Sequence, residues 1–148
     1  MPSNIPFRPF HRPAPDISAT RKPDGSLIVR SNIPLGNYEA NIGAYWRAAA
    51  DRFPERAFLV KCSPDDTWPE LSYRTASEQS DRISSYLLSR GYGPDKSIMI
   101  LSSNSFAHAT LMMGEVQVGI PVTQLSPSYS LVGNDFTKLK YAVELTEP

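Results

Sequence analysis

Residues 71–131, LSYRTASEQSDRISSYLLSRGYGPDKSIMILSSNSFAHATLMMGEVQVGIPVTQLSPSYSL, decide the fold class. They read as a strand, a long helix, a glycine-bounded turn, an apolar strand, a second helix, another strand and a Ser/Pro/Tyr loop. Strands alternating with helices predict an α/β domain built on a parallel sheet. Residues 97–101 (SIMIL) are a near-continuous apolar run, which predicts a strand covered on both faces. Residues 106–118 supply the following helix and 120–124 the next strand. That connection is long enough for a right-handed βαβ crossover.

The first long helix of this stretch has two candidate starts. Thr75-x-x-Glu78 fits a capping box, and Ser72 is an alternative cap earlier in the chain. Ala76, Ile83, Leu87 and Leu88 form its expected buried stripe, with Asp81, Arg82 and Arg90 turned to water. Gly91 ends it as a left-handed cap, followed by Pro94.

Upstream, Asn41 is placed to cap a helix whose apolar residues are Ile42, Tyr45, Trp46, Ala49 and Phe53, and Pro54 stops it. Residues 57–61 (AFLVK) form a short strand. Ser63-Pro64-Asp65-Asp66 turns the chain, and Trp68 with Leu71-Ser72-Tyr73 returns as the antiparallel partner. Earlier still, Pro23-Asp24-Gly25 is a turn signature inside ISATRKPDGSLIVR, residues 17–30, which predicts a β-hairpin. Residues 1–16 read as a Pro-rich arm lying over a neighbouring surface, with Phe7 and Phe10 as its anchors, or as a disordered tail. At the other end, Asn134 or Asp135 opens a last helix bearing Phe136, Leu139 and Val143. In a doubly wound sheet a further strand is due after Glu147-Pro148.

Composition excludes several function classes. Of 148 residues, 41% are hydrophobic and 20% charged, as in a globular domain with its own core. Fifteen basic and fifteen acidic residues cancel, which leaves no electrostatic footprint for nucleic acid or anionic lipid. The single cysteine, Cys62, precludes an internal disulfide, and its neighbourhood offers only Lys61 to activate a thiol, so an inert role is expected. No apolar run approaches a membrane span or a secretory signal, so a cytoplasmic protein is expected. Proline is over-represented at 14 residues, and the clustering before residue 24 disfavours helix there.

Signatures of familiar chemistry are missing. Gly91-x-Gly93 follows a helix and lacks a third glycine, so it is no dinucleotide fingerprint. There is no G-x-x-x-x-G-K-[ST], G-x-S-x-G or H-E-x-x-H. His11 and His108 stand in unrelated contexts. Ser102-Ser103-Asn104-Ser105 admits two readings: a plain helix cap by Asn104 or Ser105, or an anion-holding loop at the carboxyl end of a strand. His108 reads as a satisfied structural histidine. Ser126-Pro127-Ser128-Tyr129-Ser130 holds the corresponding place after the next strand; its hydroxyls fix a turn or line a cleft. Asp65, Asp66 and Glu70 read as a solvated loop.

Two short cores carry a family resemblance. Leu71-Ser72-Tyr73-Arg74 is similar to the early L-[TS]-Y-x-E-L core of adenylate-forming enzymes. Residues 114–128, GEVQVGIPVTQLSPS, resemble their A-x-x-x-G-x-x-x-x-P-[IVL]-x-P segment. The family comprises acyl-CoA synthetases, peptide-synthetase adenylation domains and luciferases. PDGSLIVRSNIPLG, FPERAFLV, MILSSNSFAHATLMM and SPSYSLVGNDFTKLK together look like feruloyl-CoA synthase-type aromatic acid:CoA ligases. Thr75 stands where the family usually has Glu, and Gln124 where it commonly has Ala or Pro.

The resemblance implies an incomplete N-terminal part of the ligase large domain over residues 17–148, preceded by the arm. It also implies ATP, Mg²⁺ and CoA as cofactors of a full-length enzyme, and an aromatic carboxylic acid as its substrate. Family members carry a Ser/Thr/Gly-rich P-K loop on the phosphates, a Y-G-x-T-E segment, an Asp on the ribose and a C-terminal-domain Lys. None has a counterpart here. No catalytic, cofactor-binding or metal residue is therefore assigned, and the chain is expected to be an inactive fragment. Alternatives are a module that complements a separate chain carrying the ATP site, or an independent domain that binds a small ligand at its Ser-rich strand ends.

Overall fold

The computed structural model describes residues 14–148, so the expected arm, with Phe7 and Phe10, lies almost wholly outside the described residues. The chain divides into two compact units, the boundary falling between Tyr38 and Glu39. The first contains the anticipated hairpin: β1 (Ile17–Arg21) pairs antiparallel with β2 (Leu27–Ser31), Ile17 opposite Ser31 and Arg21 opposite Leu27. Gly25 closes its turn at φ +86°, a conformation that a side chain would strain. Asp24 Oδ1 accepts from the Ser26 N–H at 2.8 Å, and the Lys22 N–H donates to the Ser26 carbonyl at 2.8 Å.

The second unit runs α1 (Ile42–Arg52), β3 (Ala57–Val60), β4 (Glu70–Ser72), α2 (Tyr73–Ser89), β5 (Ile98–Leu101), α3 (Phe106–Val116), β6 (Val122–Leu125), α4 (Ser128–Leu131) and α5 (Thr137–Thr146). β3 and β4 are antiparallel, with a register irregularity between Ala57 and Leu59. β5 and β6 are parallel, Ile98 opposite Val122 and Leu101 opposite Leu125, as the βαβ pattern requires. The expectation that residues 97–101 are covered on both faces is corrected. Ile100 is buried, but Leu101 is 47% exposed, because β6 is the only strand paired with β5 among the described residues. Trp68 lies outside β4 and is exposed.

Helix starts and stops follow local chemistry. Asn41 caps α1, its side chain accepting from the Ala44 N–H at 2.8 Å. Ser72, and not the Thr75-x-x-Glu78 box, caps α2 by accepting from the Thr75 N–H at 3.2 Å. At the far end Gly91 turns left-handed at φ +75°. The Tyr92 N–H bonds the Leu87 carbonyl and the Gly91 N–H the Leu88 carbonyl, a Schellman closure. α5 begins at Thr137, and Asp135 Oδ1 accepts from the Thr137 N–H at 2.9 Å.

Both early helices bury part of the predicted stripe, Trp46 in α1 and Ala76 and Leu87 in α2, together with small residues that were not predicted. In α1 the buried residues are Gly43, Trp46 and Ala50, while Ile42 and Tyr45 are exposed. Gly43 decides this: a Cβ there would lie 2.8 Å from the Cα of Gln117, so α1 sits directly on the end of α3. Trp46 then enters the core with Phe58, Leu71, Tyr73, Ala76 and Met113, its ring centroid 4.7 Å from that of Phe58. In α2 the buried set is Ala76, Ser80, Ser84 and Leu87, whereas Leu88 is 50% exposed. Asp81 does not simply face water; it forms an ion pair with Arg47 of α1 and accepts from Gln117 Nε2 at 3.2 Å.

The serines are buried because α2 and α3 approach too closely for larger groups. A Cβ on Gly114 would lie 2.7 Å from Ile83 Cγ2 and 3.1 Å from the Ser80 carbonyl oxygen. Ser80 Oγ donates to the Thr110 carbonyl at 3.2 Å, and Ser84 Oγ lies 2.7 Å from the Gly114 carbonyl. Each buried hydroxyl thus finds an acceptor on the facing helix. Gly114→Ala is predicted to destabilise the chain by about 1–3 kcal/mol through overpacking, despite the better helix propensity of alanine. Urea unfolding midpoints measure this; an unchanged or raised midpoint would contradict the close approach.

Glu115, one position further along α3, is fully buried, and neither carboxylate oxygen has a hydrogen-bond partner. Burial pushes its pKa up from 4.5 to about 7. Below pH 4.5 the carboxyl is protonated in both folded and unfolded chains. Between 4.5 and about 7 only the unfolded chain ionises, so stability falls as pH rises, by about 3 kcal/mol in all, and then levels. Glu115→Gln should match the parent at pH 4 and be more stable at pH 8, as measured by urea midpoints. Parallel pH profiles for the two proteins would rule this out.

Candidate functional site

Parallel pairing of β5 with β6 in register brings the loops that follow them to the same end of the sheet, where open α/β sheets hold ligands. The first loop contains residues 102–105. Of its two sequence readings the cap is realised, by Ser105, whose Oγ accepts from the His108 N–H at 3.0 Å. Ser102 Oγ lies 2.7 Å from His108 Nδ1, so the loop folds back on the first turn of α3. His108 is half-buried and hydrogen-bonded, in keeping with the structural histidine anticipated.

The second loop forms the short helix α4. Ser126 Oγ accepts from the Ser128 N–H at 3.3 Å, and Ser130 Oγ donates to the Pro127 carbonyl at 3.3 Å. These hydroxyls fix the turn. They also border an open cleft of about 610 Å³, lined by residues 102–104, His108 and residues 124–127. Sequence reasoning noted Gln124 only as a departure from a pattern. It lines this cleft, and its Nε2 touches Met112 Sδ. The signal was available: a polar residue stands at a position where a buried strand ordinarily carries a small or apolar one.

The cleft is polar and uncharged. Hydroxyls, two amides and an imidazole line it, and among the described residues no carboxylate, Lys or Arg does. The Ser102–His108 contact has the length of a nucleophile–base pair, but among the described residues nothing bonds the other ring nitrogen to orient it. The contact therefore holds the loop in position. No group of three or more His, Cys, Asp or Glu converges to hold a metal among the described residues. A nucleoside triphosphate with its magnesium needs cations, carboxylates or a phosphate-cradling backbone, so the residues around this cleft do not fit that group.

Asp65 and Asp66 lie in the expected turn, whereas Glu70, read as part of the same loop, opens β4 opposite Val60. Cys62 is an exposed free thiol, and Asp65, Asp66 and Glu70 are exposed. Hydrogen bonds from the Thr67 side chain and backbone N–H hold the Asp65 carboxyl below its ordinary pKa. No helix among the described residues is long and apolar enough to cross a membrane.

Known proteins share this arrangement. Surfactin synthase subunit 1 of Bacillus subtilis (strain 168) is 34% identical over 79 residues, covering 52% of this chain and 2% of its own. Among solved structures, CmiS6 superposes with a TM-score of 0.63 at 18% identity, over 78% of this chain and 28% of that one. The luciferase-like enzyme of the nonluminescent Zophobas morio mealworm gives 0.66 at 16%, over 78% and 26%. The fatty acid AMP ligase of Legionella pneumophila gives 0.64 at 14%, over 73% and 18%. The chain thus spans less than a third of each of these relatives, and the structural likenesses show a shared α/β fold. The family model described as AMP-binding enzyme matches residues 46–147, from the core tryptophan to the end of α5. This chain belongs to the AMP-binding enzyme family.

Proposed function

We propose that residues 17–148 are the opening scaffold of the large domain of an adenylate-forming acid:CoA ligase, with residues 1–16 as a preceding arm. In the complete enzyme a carboxylate oxygen attacks the α-phosphorus of ATP and pyrophosphate leaves. The sulfur of CoA then attacks the acyl carbon, AMP leaves, and the thiol proton passes to solvent. The acid is aromatic, of the feruloyl type, on the strength of the PDGSLIVRSNIPLG and SPSYSLVGNDFTKLK segments. A cytoplasmic location belongs to the same reading.

One observation carries the proposal: the family match covers residues 46–147, most of the second unit, yet among the described residues the strand-end cleft has no group suited to a triphosphate. Such a chain contributes shape and burial, while phosphate stabilisation, several kcal/mol of the barrier, must come from elsewhere. The partner is accordingly the rest of a ligase. Exposed apolar residues around α4 and α5, among them Leu131, Val132, Tyr141 and Leu145, are surface for it to cover.

The chain alone, supplied with ATP, Mg²⁺, CoA and ferulate, is expected to release no AMP and form no thioester. Co-expression with a polypeptide carrying the phosphate-binding and C-terminal segments of such a ligase should give turnover. AMP formation by the chain alone would overturn the reading, as would failure of the two polypeptides to associate.

A further inference from the structure

Two exposed features of the second unit are complementary to each other. The first is the loop from β3 to β4, SPDDTWPE over residues 63–70. Trp68 on its returning limb is 63% exposed and stands among the exposed carboxylates of Asp65, Asp66 and Glu70. The loop has a fixed shape: the Ser63 N–H donates to the Thr67 carbonyl at 2.8 Å, the Lys61 N–H to the Pro69 carbonyl at 3.1 Å, and the Thr67 hydroxyl to Asp65 Oδ1 at 2.8 Å. The second feature is a groove of about 560 Å³ where the end of α2, the following turn and β5 meet α3. Leu87, Ile98 and Leu111 line it with apolar surface, and Tyr86 and Tyr92 are its exposed aromatic residues. The Arg90 guanidinium lies 5.3 Å from the Tyr86 ring centre, and Lys96 Nζ lies 5.6 Å from that of Tyr92. No carboxylate lines the groove, and neither cation forms an ion pair among the described residues.

We propose that this groove takes the 63–70 loop of a second copy of the chain, with the Trp68 indole against Tyr86 and Tyr92 and the loop carboxylates around Arg90 and Lys96. Charge complementarity argues for that occupant: one patch sets three acids around an aromatic side chain, the other sets two cations around two aromatic rings. Trp, Tyr and Arg are the side chains that dominate protein contacts, and an indole has here both rings and a guanidinium to pack on. A pre-formed loop, and cations already resting on rings, lose little freedom on docking. The contact lies between copies, because loop and groove belong to one compact unit and no loop residue lines the groove. A single loop covers less than the roughly 1,200–2,000 Å² of a stable interface, so the association is weak and salt-sensitive, with a Kd on the order of 100 µM. Joining unlike patches makes it heterologous, so it continues past two copies unless it closes into a ring. The ligase assignment is not involved: the contact needs no nucleotide and uses neither α4 nor α5.

Sedimentation of the 148-residue chain tests this. The parent should associate between about 10 µM and 1 mM, and several-fold less in 0.5 M salt. Trp68→Ala removes the anchor from the loop, and Arg90→Glu with Lys96→Glu inverts the groove; all three side chains are exposed. Each variant alone should stay monomeric while keeping the parent's circular dichroism. Mixed, the two should form a species that stops at one copy of each, since one supplies an intact groove and the other an intact loop. A parent that is monomeric at about 1 mM, which would leave the groove to an acidic segment of another protein, overturns the proposal. So does either variant associating as the parent does, or a mixture of the two folded variants that fails to associate.

Discussion

The second unit depends on how closely α2 and α3 can approach, and Gly114 sets that distance. With no side chain between the helices, Ile83 and the Ser80 carbonyl come within van der Waals reach of the α3 backbone. At such a separation only small residues fit on the facing helix, and Ala76, Ser80 and Ser84 occur there at four-residue spacing. Their hydroxyls bond the carbonyls of Thr110 and Gly114, which fixes the helices axially as well as laterally. α1 is seated by the same logic, because Gly43 rests on Gln117, whose amide reaches Ser84 and Asp81. The orientation of α3 in turn carries Ser105 and His108 to the carboxyl ends of β5 and β6.

Electrostatics inside this unit are sparse. Glu115 is buried without a partner, and the Trp46 indole N–H and one oxygen of Gln117 are likewise unpaired. The ion pairs Arg47–Asp81 and Glu55–Arg74 lie at the surface, where solvent screens them and they contribute little. Stability rests on apolar burial around Trp46 and on the hydroxyl bonds between helices. Hydroxyls, amides and an imidazole line the strand-end cleft, with no Lys, Arg or carboxylate among the described residues.

Much of the fold was legible because its signals are local. Asn41, Gly91 and Pro23-Asp24-Gly25 each act through their own backbone, so caps and turns fall where the residues place them. Strand and helix order followed from apolar runs and spacing, and the family cores at residues 71–74 and 114–128 agree with the match over residues 46–147. The faces of the helices were less legible. Hydrophobicity favoured Ile42 and Tyr45 in α1 and Leu88 in α2, yet those side chains are exposed, because backbone contact at Gly43 and Gly114 outweighed side-chain burial. Small residues at four-residue spacing, Ala76, Ser80 and Ser84, were the available sign, and it is silent about which helix will be opposite.

The order of elements apart from the short helix α4, the hairpin, the antiparallel and parallel pairings and the family were therefore determined by the sequence alone, since each depends on neighbours in the chain or on recurring short patterns. Tertiary structure alone decided which helix faces are buried, that Glu115 is desolvated, and that Tyr86 and Tyr92 share a groove with Leu111. Those outcomes turn on distances between segments far apart in the chain, which steric fit between backbones sets and no local propensity encodes.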